Sequence, residues 1–118
     1  MKQAATPAPS LEHRVSPDPE LLGTATALFT MLSDPTRLHI LWLLRDEERD
    51  VTALTEAVGA SRTAVSQHLA KLRFTGLVDT RRDGRRIIYR LRDGHVGRVI
   101  AEALNHADHR VSGEPEHG

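Results

Sequence analysis

The sequence predicts a mainly α-helical fold with one small β-hairpin, arranged as a winged helix–turn–helix. Hydrophobic residues recur at helical spacing through most of residues 18–110. A capping residue, Ser61, separates two short helices in the middle of the chain. Asp83-Gly84 then joins two segments of β-prone residues, which is a strong hairpin signal. The 118 residues are enough for one domain with a buried core.

The first two helices are predicted from apolar spacing and from a capping signal. Pro19 begins the first helix, whose apolar residues recur from Leu21 to Leu32. Ser33-Asp34-Pro35 combines a capping side chain with a proline near the first helical position, so a second helix begins there. This second helix is apolar on nearly all sides, and we therefore expect it at the centre of the core. A charged loop is expected at residues 46–50.

The third and fourth helices form the predicted helix–turn–helix. The third begins at Val51-Thr52 and ends at Gly59. Ser61 caps the fourth helix, which is predicted over residues 62–74 and is stopped by Gly76.

The C-terminal part of the predicted domain is a hairpin followed by one more helix. Residues 77–82 and 85–91 change to a period of two, as strands do. The last helix begins at Asp93 or Gly94 and has one continuous apolar face.

The two ends of the chain are predicted to be tails. Residues 1–17 are rich in proline and are expected to be disordered, and residues 111–118 are expected to be flexible. Residues 18–110 would then form the DNA-binding and dimerisation domain. Because there is neither a secretory signal nor a run of about 20 apolar residues, we expect a cytoplasmic protein that does not bind a membrane.

The outward face of the fourth helix carries side chains that suit DNA recognition. Polar and basic groups of this kind contact base edges and phosphates, and here they are Arg62, Thr63, Ser66, Gln67 and Lys71. A solvated helix face has a similar composition, so the distribution of charge along the chain is needed to separate the two interpretations.

Charge is unevenly distributed, although 16 Lys and Arg residues balance 16 Asp and Glu residues. Residues 71–98 contain nine basic and three acidic residues, which is an excess of six positive charges. Four arginines flank the predicted hairpin tip, where a wing would follow DNA phosphates or enter the minor groove: Arg81, Arg82, Arg85 and Arg86. The pattern favours binding to double-stranded DNA.

The absence of cysteine excludes disulfides and thiolate metal sites, so any metal must be bound by nitrogen and oxygen. His106 and His109 lie three residues apart on one face of the last helix. Asp93 and His95 stand near its other end, about 16 Å away, which is too far for one ion. Either the two pairs are unrelated, or antiparallel packing of two subunits brings them together in two equal sites.

Three imidazoles and one carboxylate suit tetrahedral zinc. Nickel or cobalt would need more ligands, which Asp108, His117 or the N-terminal tail could supply. The alternative is that these histidines are solvated near a helix C-terminus. His68, beside the inward Leu69, is expected to be a packing residue with satisfied hydrogen bonds.

The sequence resembles the ArsR/SmtB family of metal-sensing repressors over about residues 20–110. The segments that carry the resemblance are residues 31–41, Ser61–Leu69, Gly76-Leu77-Val78 and Arg85–Leu91. The resemblance implies a homodimeric winged helix that represses metal-handling operons and leaves the DNA when metal binds. The Cys-x-Cys site that some members carry on the third helix is absent, because this segment reads Val51-Thr52-Ala53-Leu54-Thr55.

The resemblance also implies which residues bind metal and DNA. The members with a site on the C-terminal helix match here at Asp93, His95, His106 and His109, as in zinc and cobalt sensors. The segment around His106 is also similar to nickel/cobalt sensors, where neighbours of the type of Asp108 and His117 add ligands. The DNA-reading positions of the family fall on Arg62, Thr63, Ser66 and Gln67.

We therefore expect a repressor that binds an inverted-repeat operator as a metal-free homodimer. Zinc, or alternatively nickel or cobalt, would release it from the DNA. The principal alternative is a DNA-binding regulator of the same fold that responds to a non-metal effector, and another is an interaction module that does not bind DNA. No Gly-rich phosphate loop and no nucleophile–base arrangement is visible, so we do not expect an enzyme.

Overall fold

Five α-helices and a three-stranded sheet make up residues 16–113, the part of the chain that this computed structural model describes. The elements are α1 (Pro19–Leu32), α2 (Pro35–Leu44), β1 (Arg49–Asp50), α3 (Val51–Val58), α4 (Arg62–Phe74), β2 (Val78–Asp83), β3 (Arg86–Leu91) and α5 (Gly94–Ser112). None of these helices is both long enough and apolar enough to span a membrane. His117 lies outside the described residues, as do residues 1–15 of the predicted N-terminal tail.

The chain divides into two compact units between Thr30 and Met31, and most of α1 belongs to the first. α1 begins after Asp18, whose Oδ1 accepts a hydrogen bond of 2.8 Å from the backbone N–H of Leu21. No residue of α1 is buried in the single chain, and Leu22 and Phe29 are more than half exposed. The helix therefore presents apolar side chains to its surroundings.

The second unit is built around α2. Ile40, Leu41 and Leu44 are buried, and the remaining apolar residues of α2 are half-buried. Around them lie the other buried side chains, which come from α3, α4, the sheet with the residue before it, and α5: Leu54, Val65, Leu69, Leu72, Leu77, Val78, Ile88, Val96 and Ile100. The central position expected for the second helix is confirmed.

Capping side chains fix the starts of the helices in this unit. Asp34 accepts a hydrogen bond of 2.9 Å from Arg37 N, and Ser61 accepts one of 3.0 Å from Ala64 N. Each satisfies a backbone donor that the first helical turn leaves without a partner. Both capping signals read from the sequence are therefore confirmed.

The predicted hairpin is present, but its loop lies one residue later than the predicted Asp83-Gly84. β2 pairs antiparallel with β3, and Asp83 stands opposite Arg86, so Gly84 and Arg85 form a two-residue loop. Gly84 has a φ of +65°, a conformation that glycine adopts without steric cost.

Two other elements also differ from the sequence prediction. Residues 49–50, expected in a charged loop, form β1, which pairs with β3 and completes a sheet of order β1–β3–β2. α5 continues to Ser112, two residues beyond the predicted end of the domain, and Gly113 ends it with a φ of +75°. A two-residue charged strand has no periodicity from which it could be recognised.

Candidate nucleic-acid interface and metal-ligating residues

The outward face of α4 brings together four of the residues predicted to contact DNA. Val65, Leu69 and Leu72 face the core, so the opposite side of the helix is exposed. On that side a shallow depression is lined by Arg62, Thr63, Ser66, Gln67 and Ala70. Lys71, one residue further along the chain, is also exposed.

The turn before α4 fixes how this face begins. Gly59 ends α3 in the left-handed region, with a φ of 72°, and Ser61 caps α4. Arg62 donates a hydrogen bond of 3.0 Å to the hydroxyl of Thr52 on α3. The first residue of the exposed face is therefore held by the preceding helix.

The wing consists of β2, β3 and their connecting loop, and all four of its predicted DNA-binding arginines are exposed. Arg85 lies in the loop itself, and Arg82 lies 3.4 Å from the carbonyl oxygen of Gly84. A cleft between the start of α3, the start of α4 and the wing is lined by Arg62, Arg85 and Arg86, among other residues. The exposed face of α4 and the wing border this cleft together and thus form one basic surface.

Acidic partners on this surface were not foreseen from the sequence. Arg81 Nε donates to Glu48 Oε1 at 2.9 Å, and Arg86 Nε donates to Asp50 Oδ2 at 2.8 Å. Both carboxylates come from residues 46–50, which the sequence predicts as a charged loop. The hydrogen bond from Ala53 N, followed by that from Arg86, holds the pKa of Asp50 below its ordinary value.

A third ion pair lies at the base of the wing. Arg92 donates to Asp79 Oδ1 at 2.8 Å, and this hydrogen bond lowers the pKa of Asp79 and raises that of Arg92. Arg92 and Asp79 both belong to residues 71–98, so their pair leaves the excess of six positive charges unchanged. The carboxylates of Glu48 and Asp50 lie outside that segment, and they are the ones that lower the charge available to DNA.

The four candidate metal ligands are divided between the two ends of α5. Asp93 is the N-cap, and its Oδ1 accepts a hydrogen bond of 2.9 Å from His95 N. His106 and His109 are exposed near the other end. Within residues 16–113 no group of three or more histidine, aspartate or glutamate side chains is close enough to hold a metal ion. A complete site would therefore need ligands from outside the described single chain.

The chemistry of these donors nevertheless fits a metal that prefers nitrogen and oxygen. Oδ1 of Asp93 holds the helix cap, while its other oxygen makes no hydrogen bond to a described residue. Nδ1 of His95 lies 2.6 Å from the guanidinium of Arg98, so Nε2 is the nitrogen left for coordination. Three imidazoles and one carboxylate match the ligand types of zinc. Asp108 is exposed beside His109.

Comparison with known proteins gives the family. Residues 34–80 match the model of the family described as "Bacterial regulatory protein, arsR family". The HTH-type transcriptional regulator KmtR of Mycobacterium tuberculosis is 45% identical over 104 residues, which cover 86% of this chain and 80% of KmtR. NmtR of the same organism, also an HTH-type transcriptional regulator, is 40% identical over 78% of this chain and 77% of its own length.

A solved structure confirms the predicted fold class. The homodimeric winged helix–turn–helix DNA-binding domain Mb0332 of Mycobacterium bovis has a TM-score of 0.73 and 31% identity. The match covers 89% of this chain and 100% of that domain. The resemblance seen in the sequence is confirmed at the level of the family: this chain belongs to the arsR family of bacterial regulatory proteins.

Proposed function

We propose that this chain is a homodimeric transcriptional repressor that binds operator DNA in its metal-free state and leaves it when zinc binds. Nickel and cobalt are the alternative metals. The observation that carries the proposal is the distribution of Asp93, His95, His106 and His109. They lie at the two ends of one helix, in a chain that also presents an exposed recognition face and a basic wing.

The dimer is supported by the exposed half of α5. Val96 and Ile100 of its apolar face are buried, whereas Ala103 and Ala107 of the same face are exposed and Val111 is 86% exposed. Antiparallel packing of two α5 helices along their length, centred near residue 101, would cover apolar surface of this half. It would also place Asp93 and His95 of one subunit near His106 and His109 of the other, which gives two equal sites.

The DNA contacts are divided between two elements. The exposed N-terminal half of α4 would enter the major groove, where Arg62, Thr63, Ser66 and Gln67 read base edges. Phosphates would be bound by Lys71 and by the wing arginines Arg81, Arg82, Arg85 and Arg86. Two such surfaces related by a dimer axis match an inverted repeat. A repressor that binds operator DNA would act in the cytoplasm.

Repression would be coupled to metal through the relative placement of the two subunits. Asp93 and His95 of one α5 would hold the ion together with His106 and His109 of the other, and the two subunits would thereby be cross-linked. Each α5 starts directly after β3 of the wing, since only Arg92 and Asp93 separate them. A dimer arrangement in which the two α4 helices no longer match successive major grooves would release the DNA. By linkage, DNA must weaken metal binding by the same factor.

The test measures DNA affinity by fluorescence anisotropy at fixed salt, with and without Zn(II), Ni(II) or Co(II). The probe is a duplex selected from a randomised pool by the metal-free protein. We expect one of the metals to lower affinity by about 5- to 150-fold, the usual range of allosteric coupling. The double variant His106→Ala/His109→Ala should keep DNA binding and lose the response. His39→Ala, at an exposed histidine of α2, should keep both.

The outcomes separate the alternatives. If DNA binds but none of the three metals changes its affinity, metal sensing is refuted and a non-metal effector is favoured. If no duplex is enriched, the repressor proposal itself fails. The absorption spectrum of the Co(II) protein then reports the site: a tetrahedral spectrum favours zinc and four ligands, whereas a six-coordinate spectrum favours nickel or cobalt with Asp108 or His117 as further ligands.

A further inference from the structure

Two carboxylates from the segment before α3 form ion pairs with two arginines of the wing. We propose that Glu48 and Asp50 are internal competitors of DNA phosphate for Arg81 and Arg86. They neutralise these arginines in the free protein and thereby set the strength and salt dependence of DNA binding. The proposal rests on the proposed DNA-binding function and adds two residues to it that do not touch DNA themselves.

The short strand β1 places these carboxylates beside the wing. Asp50 pairs with Ile88 of β3, and Arg86 lies two residues from Ile88 on the same face of that strand. Asp50 Oδ2 and Arg86 Nε are consequently 2.8 Å apart. Glu48, two residues before Asp50, reaches Arg81 on the far strand at 2.9 Å.

The two ion pairs differ in how firmly the acid is held. The Asp50 side chain is 18% exposed and also caps α3 through a 2.9 Å hydrogen bond from Ala53 N. It is therefore fixed whether or not Arg86 is present. Glu48 is 38% exposed and its partner Arg81 is 52% exposed, so the Glu48–Arg81 pair is the one that DNA can open more readily.

Carboxylate and phosphate oxygens make the same kind of hydrogen bond to a guanidinium group. An arginine that exchanges a carboxylate for a phosphate leaves the carboxylate behind as an unpaired negative charge near the DNA. Such an arginine contributes less to affinity than one that is free before binding. Removing the charge of Glu48 should make Arg81 a free phosphate ligand.

The expected effect can be stated as a salt dependence. Each additional phosphate that is neutralised steepens the slope of log K against log salt by about 0.9, so a dimer with two Glu48→Gln wings should gain about 1.8. An exposed ion pair of this kind corresponds to about 1.5- to 5-fold in affinity for each wing at moderate salt. The Glu48→Gln variant should therefore have both a steeper salt dependence and a higher DNA affinity than the wild type.

The experiment compares Glu48→Gln with Asp46→Asn in the full chain, using the selected duplex over a series of salt concentrations. Asp46 lies in the same segment, is exposed and makes no ion pair with a described residue. The two variants change the net charge equally, so a difference between them isolates the contact with Arg81. The urea unfolding midpoint of each variant verifies that the fold is kept.

A double-mutant cycle identifies the arginine through which Glu48 acts. In an Arg81→Gln background, Glu48→Gln should no longer strengthen DNA binding, because the competing pair has already been removed. Asp50→Asn keeps an oxygen for the α3 cap and should strengthen binding through Arg86 in the same way.

Three results would overturn the proposal. The first is a Glu48→Gln slope equal to that of Asp46→Asn, since the effect would then be one of net charge. The second is a gain that persists in the Arg81→Gln background. The third is weaker DNA binding by Glu48→Gln, which would make the ion pair a support of the wing. If wild type and variants all fail to bind DNA, the proposed function falls too, whereas these three results leave it standing.

Discussion

His68 of the recognition helix α4 lies beside Asp34, the residue that caps α2. Its Nε2 is 3.6 Å from Asp34 Oδ2, and its Nδ1 is 3.3 Å from the guanidinium of Arg37. Because arginine only donates hydrogen bonds, this arrangement suits the tautomer with its proton on Nε2. His68 is half-buried and its polar atoms have partners, in agreement with its interpretation as a packing residue. It fixes the middle of α4 against the start of α2.

Replacing His68 by leucine should lower DNA affinity severalfold while the protein remains folded. The lost hydrogen bond contributes about 1 kcal/mol to stability, which is too little to unfold a domain of this size. A weaker complex would therefore report a change in the orientation of α4. Anisotropy titrations together with urea unfolding measure the two effects separately. The control is His39→Leu, at an exposed position of α2; equal losses in both variants would contradict the positioning role.

The stability of the fold should decline at acid pH. The pKa values of Asp34, Asp50 and Asp79 lie below the ordinary value of 3.8. The main causes are backbone N–H donors for the first two and the side chain of Arg92 for the third. Each carboxylate stabilises the fold above its unfolded-state pKa, and this contribution is lost as the pH falls through the lowered pKa. The urea midpoint should therefore fall below about pH 5.

The variant Asp79→Asn checks this assignment at the base of the wing. It should have a lower urea midpoint than wild type at neutral pH and a shallower decline in acid, since one of the titrating groups is gone. Asp46→Asn, at an exposed carboxylate without an ion pair to the described residues, should follow the wild-type curve. An unchanged acid decline in Asp79→Asn would show that the Arg92 pair does not contribute.

A subunit-mixing experiment tests whether the metal sites are shared between two chains. Asp93→Ala/His95→Ala and His106→Ala/His109→Ala each destroy both sites of their own homodimer. In a mixed dimer, one site combines the intact His106 and His109 of one chain with the intact Asp93 and His95 of the other. Random pairing of equal amounts should restore about one quarter of the wild-type capacity.

Cobalt absorption after joint refolding of the two variants measures this restored capacity. The variants refolded separately and then combined without exchange serve as the control. A mixture that binds no more metal than the separate variants would rule out sites shared in this way, because ligands confined to one chain cannot complement each other.

Gly59, in the turn between α3 and α4, should tolerate substitution poorly. Its φ is +72°, although an added Cβ would meet no atom within 4 Å. The cost therefore comes from the backbone and amounts to about 1–2 kcal/mol for Gly59→Ala. Asparagine enters the left-handed region more readily, so Gly59→Asn should cost less. Urea unfolding compares the two; equal losses would indicate that crowding and not backbone conformation is responsible.

Much of the fold could be predicted because its signals are local. Asp34 and Ser61 cap helices at the positions where their side chains predict a helix start. Gly84 lies in the hairpin loop, between the two segments that have a period of two. The exposed face of α4 could be predicted from the apolar residues that face the core, because it lies on the opposite side of the helix. Local chemistry and helical period were sufficient for these elements.

The electrostatics of the wing could not be predicted in the same way. Glu48 and Arg81 are 33 residues apart, and Asp50 and Arg86 are 36 apart, so a count of charge along a segment assigns them to different surfaces. Only the pairing of β1 with β3 brings them together. The prediction of the candidate metal site has the same limit. The length of α5 shows that ligands at its two ends cannot bind one ion, but it does not show which residues would complete the site.

Because the candidate ligands are separated along the 19 residues of α5, the metal response should depend on the amount of repressor. A metal site shared between two subunits would exist only while the two chains are associated, so metal binding and dimer formation would stabilise each other. On dilution toward the dissociation constant of the dimer, the apparent metal affinity would fall although every ligand is intact. The number of repressor molecules in a cell would then help to set the metal concentration at which its genes are switched on.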